Sequence, residues 1–276
     1  MRQDASRRSA ARYYPAEYYS LAEAGAADRG RSPVRVVRRG RSAVVLHRLA
    51  PGRLRRVAFR SARVPDWVDW LSGTSTRAKI LDVGCGGGAL LRGLRANGFT
   101  NLTGIDPFLT REETSATLTL RRAELEDVVE SASRFDLIML HHVLEHLPGP
   151  TNVLDRIRRL LAPDGRVLIR TPLADSLARR AYGACWVQLD APRHLYVHST
   201  TSLRLLGEQA GLALVSAKRD STGFQFWGSE LYRRGMVLHG NERFFEEADY
   251  ARWEARSIRL NRNGRGDQAA FVLAPA

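Results

Sequence analysis

Glycines and two acids within residues 80–107 have the types and spacing of a nucleotide-binding loop. Gly84 and Gly86 follow a short apolar stretch, and Asp82 precedes Gly84 by two positions. Glycines are needed where a backbone turns sharply and approaches a ligand, because a Cβ would collide with it. Asp106 follows Gly86 by about 20 residues, the separation expected of a carboxylate that binds ribose hydroxyls. The pattern predicts a site for a ligand that carries a nucleoside.

Two classes of ligand are compatible with this spacing. A dinucleotide fits Gly84-x-Gly86-x-x-Ala89 and a ribose-binding Asp106. Asp82 argues against a dinucleotide, since a carboxylate at the end of the first strand would repel a pyrophosphate across a low-dielectric crevice. The same carboxylate favours a ligand with cationic groups, such as the sulfonium and ammonium of S-adenosylmethionine. A glycine-rich turn without a ligand is the third interpretation.

The hydrophobic pattern predicts the elements that position these residues. Residues 80–83 are apolar and β-prone, residues 89–97 have a helical pattern, and a second strand ends at Asp106. Strand, turn, helix and strand in this order form the opening βαβ unit of a nucleotide-binding sheet. The amides at the start of the helix would then face the ligand.

Residues 82–88 (DVGCGGG) resemble motif I of the class I S-adenosylmethionine-dependent methyltransferases, and residues 104–107 (GIDP) resemble the end of their second strand. The resemblance implies an α/β fold with a Rossmann-like, doubly wound sheet of seven strands. This sheet is mostly parallel with an antiparallel last strand, and an N-terminal cap is added to it. The resemblance also implies that the cofactor is S-adenosylmethionine.

The resemblance continues beyond the second strand. Glu124 and Leu125 match the positions that flank the adenine, where an acid accepts from the exocyclic amine and an apolar neighbour covers the ring. Residues 135–140 (FDLIML) and the following His141 resemble motif IV. The residues that the resemblance assigns to the cofactor are Asp82, Gly84, Gly86, Asp106, Pro107, Glu124, Leu125 and His141.

Histidines and an acid follow the fourth predicted strand. His142 and His146 are four residues apart, and Glu145 precedes His146. This group suggests a metal site, but the sequence offers no further set of ligands. The methyltransferase family that the sequence resembles also usually works without a metal at this position. The sequence therefore predicts no metal. His142 is a catalytic candidate beside the cofactor, and His146 caps a helix.

Residues 182–200 are the predicted acceptor loop. They follow the fifth predicted strand, so they should lie at the carboxyl edge of the sheet, where open α/β folds bind ligands. Their side chains have an acceptor-site composition, an apolar platform with a few polar groups that orient the ligand. Methyl transfer to a hydroxyl needs a positioned nucleophile and the removal of its proton.

His194 is the predicted base of this loop, because an imidazole titrates near neutral pH. Asp190 orients His194 or binds acceptor hydroxyls, and Arg193 pairs with an anionic acceptor group. In the alternative, Asp190 and Arg193 only bridge the loop to the domain. Trp186 and Trp227 are predicted substrate contacts.

Residues 220–267 form a predicted insertion before the last strand. It should overhang the acceptor loop, which favours a lid or an acceptor wall, with a homodimer contact as the alternative. A helix over residues 244–260 is predicted to pack through one face, formed by Phe245, Ala248, Ala251, Ala255 and Ile258.

Residues 1–63 are predicted to form an N-terminal arm and a basic cap, whereas residues 64–276 form the methyltransferase domain. The tyrosine-rich patch at residues 13–20 needs a surface to pack on. It is either a staple onto the domain or a flap over the site, and Tyr14 is a predicted substrate contact. The element type of residues 31–63 stays open.

The composition limits the classes of protein to which the chain can belong. No apolar run approaches the roughly 20 residues of a membrane span. Cys85 and Cys185 are the only cysteines, which indicates a reducing cytoplasm. The net charge of +14 is compatible with nucleic acid. However, Lys79 and Lys218 are the only lysines, and arginines are spread over nearly every element, so a small-molecule or glycan acceptor is favoured.

The sequence predicts O-methylation of a sugar or a glycan precursor. Residues 220–230 and 264–270 are similar to segments of a bacterial subgroup associated with cell-surface polysaccharide synthesis. A second hypothesis is O-methylation of a small aromatic or quinone-like metabolite, favoured if Trp186 and Trp227 form a flat apolar slot. A third is a basic RNA-binding or RNA-modifying protein, and a fourth is a cofactor-binding protein without catalysis.

Overall fold

The structure is a computed structural model that describes Leu71, residues 74–129 and residues 133–276. The predicted arm and cap, with Tyr14, lie outside the described residues. The strands are β1 (Lys79–Val83), β2 (Asn101–Ile105), β3 (Glu113–Thr114), β4 (Leu118–Arg121), β5 (Phe135–His141), β6 (Leu161–Pro172), β7 (Leu212–Arg219) and β8 (Gln268–Pro275). The helices are α1 (Ala89–Ala96), α2 (Leu125–Val129), α3 (Pro150–Leu160), α4 (Leu177–Tyr182), α5 (Thr200–Gln209), α6 (Phe224–Arg233) and α7 (Glu247–Arg262). None of the helices in these ranges has the length and apolar character needed to cross a bilayer.

The strands form one eight-stranded sheet in the order β3-β4-β2-β1-β5-β6-β8-β7. β2 pairs in parallel with β1 and β4, and β8 pairs antiparallel with β6 and β7. The predicted Rossmann-like α/β sheet, mostly parallel with an antiparallel last strand, is confirmed. The strand beyond the predicted seven is β3, two residues antiparallel to β4. It was missed because Glu113 is held there by ion pairs with Arg92 and Arg95 rather than by an apolar pattern.

The described residues fall into two compact units, of which the first comprises Leu71 and residues 74–129, 133–139 and 159–165. In this unit, Ile80 and Leu81 of β1 are both fully buried, so both faces of the strand are covered, as expected of a central parallel strand. Leu91 and Leu94 form the buried face of α1. The helix packs so closely on β2 that a Cβ at Gly104 would lie 2.6 Å from Leu91 Cδ1. The glycine of the predicted GIDP segment is therefore needed for packing.

The second unit comprises residues 140–158 and 166–276. α3 follows β5, and its residues Val153, Leu154 and Ile157 are buried. β6 begins at Leu161, directly after the end of α3. Pro163 lies near the start of β6, where a proline is tolerated.

The insertion at residues 220–267 folds as α6, a connecting segment and α7. The predicted packing face of its second helix is wrong, because Ala251, Ala255 and Ile258 are exposed. The buried residues of α7 are Trp253, Ser257 and Leu260. Ser257 Oγ accepts a hydrogen bond from the buried Gln225 Nε2 at 3.0 Å. A polar residue thus occupies the core position, and an apolar pattern alone could not identify this face.

Candidate functional site

The glycine loop of the first unit begins directly after β1. Gly84, Gly86 and Gly88 have φ angles of 70°, 52° and 78°, which side chains with a Cβ rarely adopt. The amides of Gly84 and Cys85 donate to the carbonyl of Ile105 at 2.8 and 3.1 Å. These bonds fix the loop against the end of β2. The result is a rigid backbone cradle at the start of α1.

Asp106 anchors both the loop and the turn that follows β2. The Gly86 amide donates to its Oδ2 at 2.9 Å, and the Phe108 amide donates to its Oδ1 at 2.8 Å. Each carboxylate oxygen can accept a further hydrogen bond, so ribose hydroxyls can still be bound. Burial raises the pKa of Asp106, and the two amide hydrogen bonds oppose that shift. Asp106 therefore has a structural task in addition to the predicted ribose contact.

Asp82 is a buried carboxyl beside which the described residues place no basic side chain. Its side chain is 3% exposed, and its Oδ1 has no hydrogen-bond partner within the described part of the chain. Burial and then the nearby Asp106 raise the pKa of Asp82 to about 8. Two acids held this close would repel a pyrophosphate and attract a cation. The residues present thus fit the sulfonium and ammonium of S-adenosylmethionine.

We expect the binding of S-adenosylmethionine at pH 7 to release close to one proton. With a pKa of about 8, about nine tenths of Asp82 is protonated at pH 7, whereas a cationic ligand favours the carboxylate. Affinity should therefore rise as the pH approaches 8. Calorimetry in two buffers with different ionisation enthalpies measures the release, and Asp82→Asn should abolish it. Binding by the unaltered protein without proton release would contradict this role of Asp82.

The other predicted cofactor residues of the first unit lie in the segments that follow β2 and β4. Pro107 is exposed in the turn after Asp106. Glu124 is half-buried, and its amide donates to Asp127 Oδ2 at 2.8 Å. Leu125 is the first residue of α2 and is 6% exposed. The adenine contacts of Glu124 and Leu125 remain predictions.

The second unit contains a buried carboxylate surrounded by histidines. Glu145, 1% exposed, lies on a single 3₁₀ turn, Leu144–His146, after β5. Its Oε2 accepts from Thr171 Oγ1 at 3.1 Å, and its Oε1 is 3.3 Å from His142 Nδ1. Burial would raise the pKa of Glu145, but the contact with His142 and the nearby histidines outweigh burial and hold the pKa below its usual value.

His142 and His141 differ in their surroundings. The His142 side chain is 29% exposed, and its φ of 54° is unusual for a residue other than glycine. Such strain is concentrated at functional sites. His141, the last residue of β5, is mostly buried, and burial lowers its pKa to about 3. His142 is therefore the better candidate to exchange a proton with a bound ligand.

The His194 side chain is mostly buried and hydrogen-bonded within the acceptor loop rather than exposed on the loop surface. It is 6% exposed, its Nδ1 lies 2.9 Å from the Gln188 carbonyl oxygen, and its Nε2 lies 3.6 Å from Asp190 Oδ2. Burial lowers its pKa, although Glu145 opposes that shift. The histidine has a nitrogen lone pair at neutral pH, but little of its surface is open to an acceptor.

Asp190 and Arg193 bond to each other within the loop. Arg193 Nη2 and Nε donate to Asp190 Oδ1 at 2.6 and 3.1 Å. Asp190 itself has a φ of 42°, so the loop turns through a conformation that few residues adopt. The pairing joins two residues of the loop and stabilises its turn. A pairing inside the loop is neither a bridge from the loop to the domain nor a contact with an acceptor anion, so both roles remain predictions.

Trp186 corrects the predicted acceptor platform. It is 1% exposed, and its indole Nε1 donates to the buried Asp267 Oδ2 at 3.0 Å. Trp227 is half-buried and packs edge-on against Phe224, with ring centroids 4.8 Å apart. Trp186 is therefore a core residue that ties the loop to the start of β8, and it cannot line an open slot with Trp227.

Glu145 is the site residue that the sequence prediction considered but set aside. The signal was present, since Glu145 is three residues after His142 and adjacent to His146. The prediction of no metal rested on the lack of a further ligand in the sequence. The fold supplies one, because donor atoms of Glu145, His146 and His194 lie within 4.8 Å of one another.

A glycine cradle, a clamped acid after β2 and a buried acid near the end of β1, on a mostly parallel α/β sheet, are typical of a nucleoside-cofactor protein of the Rossmann-like class. Residues 56–217 match the family model described as "Methyltransferase domain". The chain belongs to this methyltransferase family.

Several curated relatives share one name. The ubiquinone biosynthesis O-methyltransferase of Aeromonas salmonicida (strain A449) is 30% identical over 196 residues, 66% of this chain and 76% of the relative. That of Dechloromonas aromatica (strain RCB) is 35% identical over 115 residues, 38% of this chain and 49% of the relative. For several such relatives, the match therefore spans only about half of their length.

A solved structure supports the same fold. The magnesium protoporphyrin IX methyltransferase from Synechocystis PCC 6803, with bound S-adenosylhomocysteine, is similar with a TM-score of 0.53. It is 13% identical, and the match covers 98% of this chain and 100% of that chain. At this identity the likeness concerns the fold alone. The predicted polysaccharide-synthesis subgroup finds no support among these relatives.

Proposed function

We propose that this methyltransferase O-methylates a phenolic hydroxyl of a small aromatic, quinol-like metabolite, with His142 as the base. The names of the curated relatives support an aromatic acceptor over the sugar acceptor that the sequence favoured. The absence of a flat slot between Trp186 and Trp227 removes one argument for an aromatic acceptor, so the support comes from the relatives and from the chemistry of the base.

The observation that carries the proposal is the pair formed by His142 and Glu145. A partly exposed imidazole beside a buried carboxylate can take a proton, because the carboxylate stabilises the resulting imidazolium. A phenol has a pKa of about 10, whereas water, which an alkyl alcohol resembles, has a pKa of about 15.7. An imidazole therefore removes a phenolic proton far more easily than the proton of a sugar hydroxyl.

His142 takes the role of base from His194, which the sequence favoured, because His142 is the more exposed imidazole. S-adenosylmethionine supplies, when bound, a methyl group already activated by its sulfonium. Asp82 is assigned to the cationic methionine end and Asp106 to the ribose. The protein's remaining work is to hold the acceptor and to remove its proton.

An acceptor screen with S-adenosylmethionine labelled in its methyl group tests this proposal. Dihydroxybenzenes with an alkyl substituent should become labelled at least tenfold faster than nucleotide sugars. Binding of S-adenosylhomocysteine, measured on the same preparation, shows that the protein is folded and able to bind the cofactor product. If a preparation that binds S-adenosylhomocysteine labels nucleotide sugars alone, the proposal of an aromatic acceptor is overturned.

A further inference from the structure

Three potential metal ligands of the second unit come from two separate segments. Glu145 and His146 belong to the 3₁₀ turn after β5, and His194 belongs to the acceptor loop. The rings of His146 and His194 meet edge to face with centroids 4.6 Å apart. One donor atom from each of the three residues lies within 4.8 Å of the others. A shift of about 1 Å would bring such atoms to the spacing found around one metal ion, whose bonds to nitrogen and oxygen are roughly 2.0–2.2 Å.

Backbone carbonyls orient both imidazoles in the same way. His146 Nδ1 lies 3.0 Å from the Arg193 carbonyl oxygen, and His194 Nδ1 lies 2.9 Å from the Gln188 carbonyl oxygen. A carbonyl oxygen only accepts, so each Nδ1 carries the proton and each neutral ring has its lone pair on Nε2. A metal-ligating histidine typically donates its other ring N–H to a carbonyl or a carboxylate in this way. The arrangement prepares two Nε2 atoms as ligands.

The third ligand is a buried carboxylate that gains from a cation. Glu145 Oε2 is bonded to Thr171, whereas the buried Oε1 has no hydrogen bond of normal geometry in the described ranges, its contact with His142 Nδ1 being 3.3 Å. A second acid, Asp190, faces the Nε2 of His194 at 3.6 Å. Asp190 is paired with Arg193, so the carboxylate that would gain from a cation is that of Glu145. A divalent cation beside the two imidazoles would compensate the charge of this buried carboxylate.

We propose that Glu145, His146 and His194 form a binding site for one divalent first-row cation. Two imidazole nitrogens and one carboxylate oxygen suit Zn²⁺, Co²⁺, Ni²⁺ or Fe²⁺, whereas Mg²⁺ and Ca²⁺ prefer oxygen ligands. This proposal departs from the sequence prediction of no metal, because its third ligand is 48 residues beyond His146 in the chain. His142 is not part of the ligand set.

Three protein ligands leave at least one position of a four-coordinate ion open. An oxygen bound at such a position loses its proton more easily than in water. An acceptor hydroxyl at this position would be methylated as its anion. That consequence depends on the proposed function, whereas the binding of the cation does not.

The test is metal binding by the full chain, without substrate or cofactor. After treatment with a chelator and dialysis, calorimetric titration should show one equivalent of Zn²⁺, and Co²⁺ should give the visible absorption of a low-coordinate site. Glu145→Gln and His194→Ala should each weaken Zn²⁺ binding at least tenfold. Mg²⁺ at the same concentration should not compete.

The matched control is His239→Ala, because His239 is an exposed histidine outside the cluster. This variant should bind Zn²⁺ as the unaltered protein does. A cooperative thermal unfolding transition in each variant shows that it is folded. Zn²⁺ should raise the unfolding temperature of His239→Ala but not that of His194→Ala. The proposal is overturned if the unaltered protein takes up no Zn²⁺, or if His194→Ala and His239→Ala bind it equally. Failure of the acceptor screen with intact Zn²⁺ binding would reject only the aromatic acceptor.

Discussion

Replacing His142 by alanine is expected to lower kcat by roughly 10²–10⁴-fold with a phenolic acceptor, the usual contribution of a positioned general base. The partly exposed imidazole is the group that accepts the acceptor's proton, and the buried Glu145 at 3.3 Å stabilises its cation. Loss of the ring removes this path, while the residues assigned to the cofactor are unchanged. Steady-state kinetics together with titration by S-adenosylhomocysteine separate the two effects.

The control for this prediction is again His239→Ala, which removes an exposed histidine that has no proposed role in the reaction. Its kcat should match that of the unaltered enzyme. If His142→Ala keeps kcat within about threefold while binding S-adenosylhomocysteine normally, His142 is not the base. The role would then return to His194, the base that the sequence favoured.

Replacing Asp106 by alanine is expected to weaken S-adenosylhomocysteine binding by roughly 10- to 150-fold. Two effects add: the ribose hydroxyls lose a charged hydrogen-bond acceptor, worth about 1.5–3 kcal/mol, and the loop loses its clamp at Gly86. The Phe108 amide also loses its partner. Calorimetric titration measures the affinity directly.

Asp136→Ala is the matched control, since Asp136 accepts a backbone amide in the same unit, that of Lys79 at 2.7 Å, without a proposed ligand contact. This variant tests whether the loss of any hydrogen bond between an amide and a carboxylate weakens cofactor binding simply because the fold becomes less stable. Equal affinities for Asp106→Ala and the unaltered protein would remove the ribose role. Equal losses in Asp106→Ala and Asp136→Ala would show a general effect on the fold.

The first unit was predictable from the sequence because its chemistry is local. Asp82, Gly84, Gly86 and Asp106 lie in one βαβ unit, so the strand register that joins them follows from the order of the elements. Backbone positions with positive φ favour glycine, so these turns can be recognised from the residue types, as can the acid at position 82. What the sequence could not show is that Asp106 clamps Gly86, because that bond depends on the loop geometry.

The second unit was less predictable because its contacts join distant segments. Glu145 is bonded to Thr171, which is 26 residues away, and Trp186 is bonded to Asp267, which is 81 residues away. A tryptophan in a loop after a strand is typical of an acceptor platform, but only its partner shows that it is buried. The face of α7 was missed for a similar reason, since Ser257 occupies a core position through a hydrogen bond.

The domain boundary at residue 63 and the role of Tyr14 stay predictions, because both concern residues outside the described ranges. The lid role of residues 220–267 and a homodimer contact also stay predictions. The contacts of this insertion support a wall of the acceptor loop, since the Val187 amide donates to Ser229 Oγ at 3.0 Å. A Cβ at Gly228 would lie 2.7 Å from Val187, so α6 packs tightly on the loop.

We propose that the methyl group reaches a phenolic oxygen. The most direct test is the position of an isotope-labelled methyl group, located by NMR in the product formed from an alkyl dihydroxybenzene and labelled S-adenosylmethionine. We expect a methyl ether on one ring oxygen, formed by the unaltered enzyme and lost in His142→Ala. A label on a ring carbon or a nitrogen, or a label accepted only by a sugar hydroxyl, would contradict it.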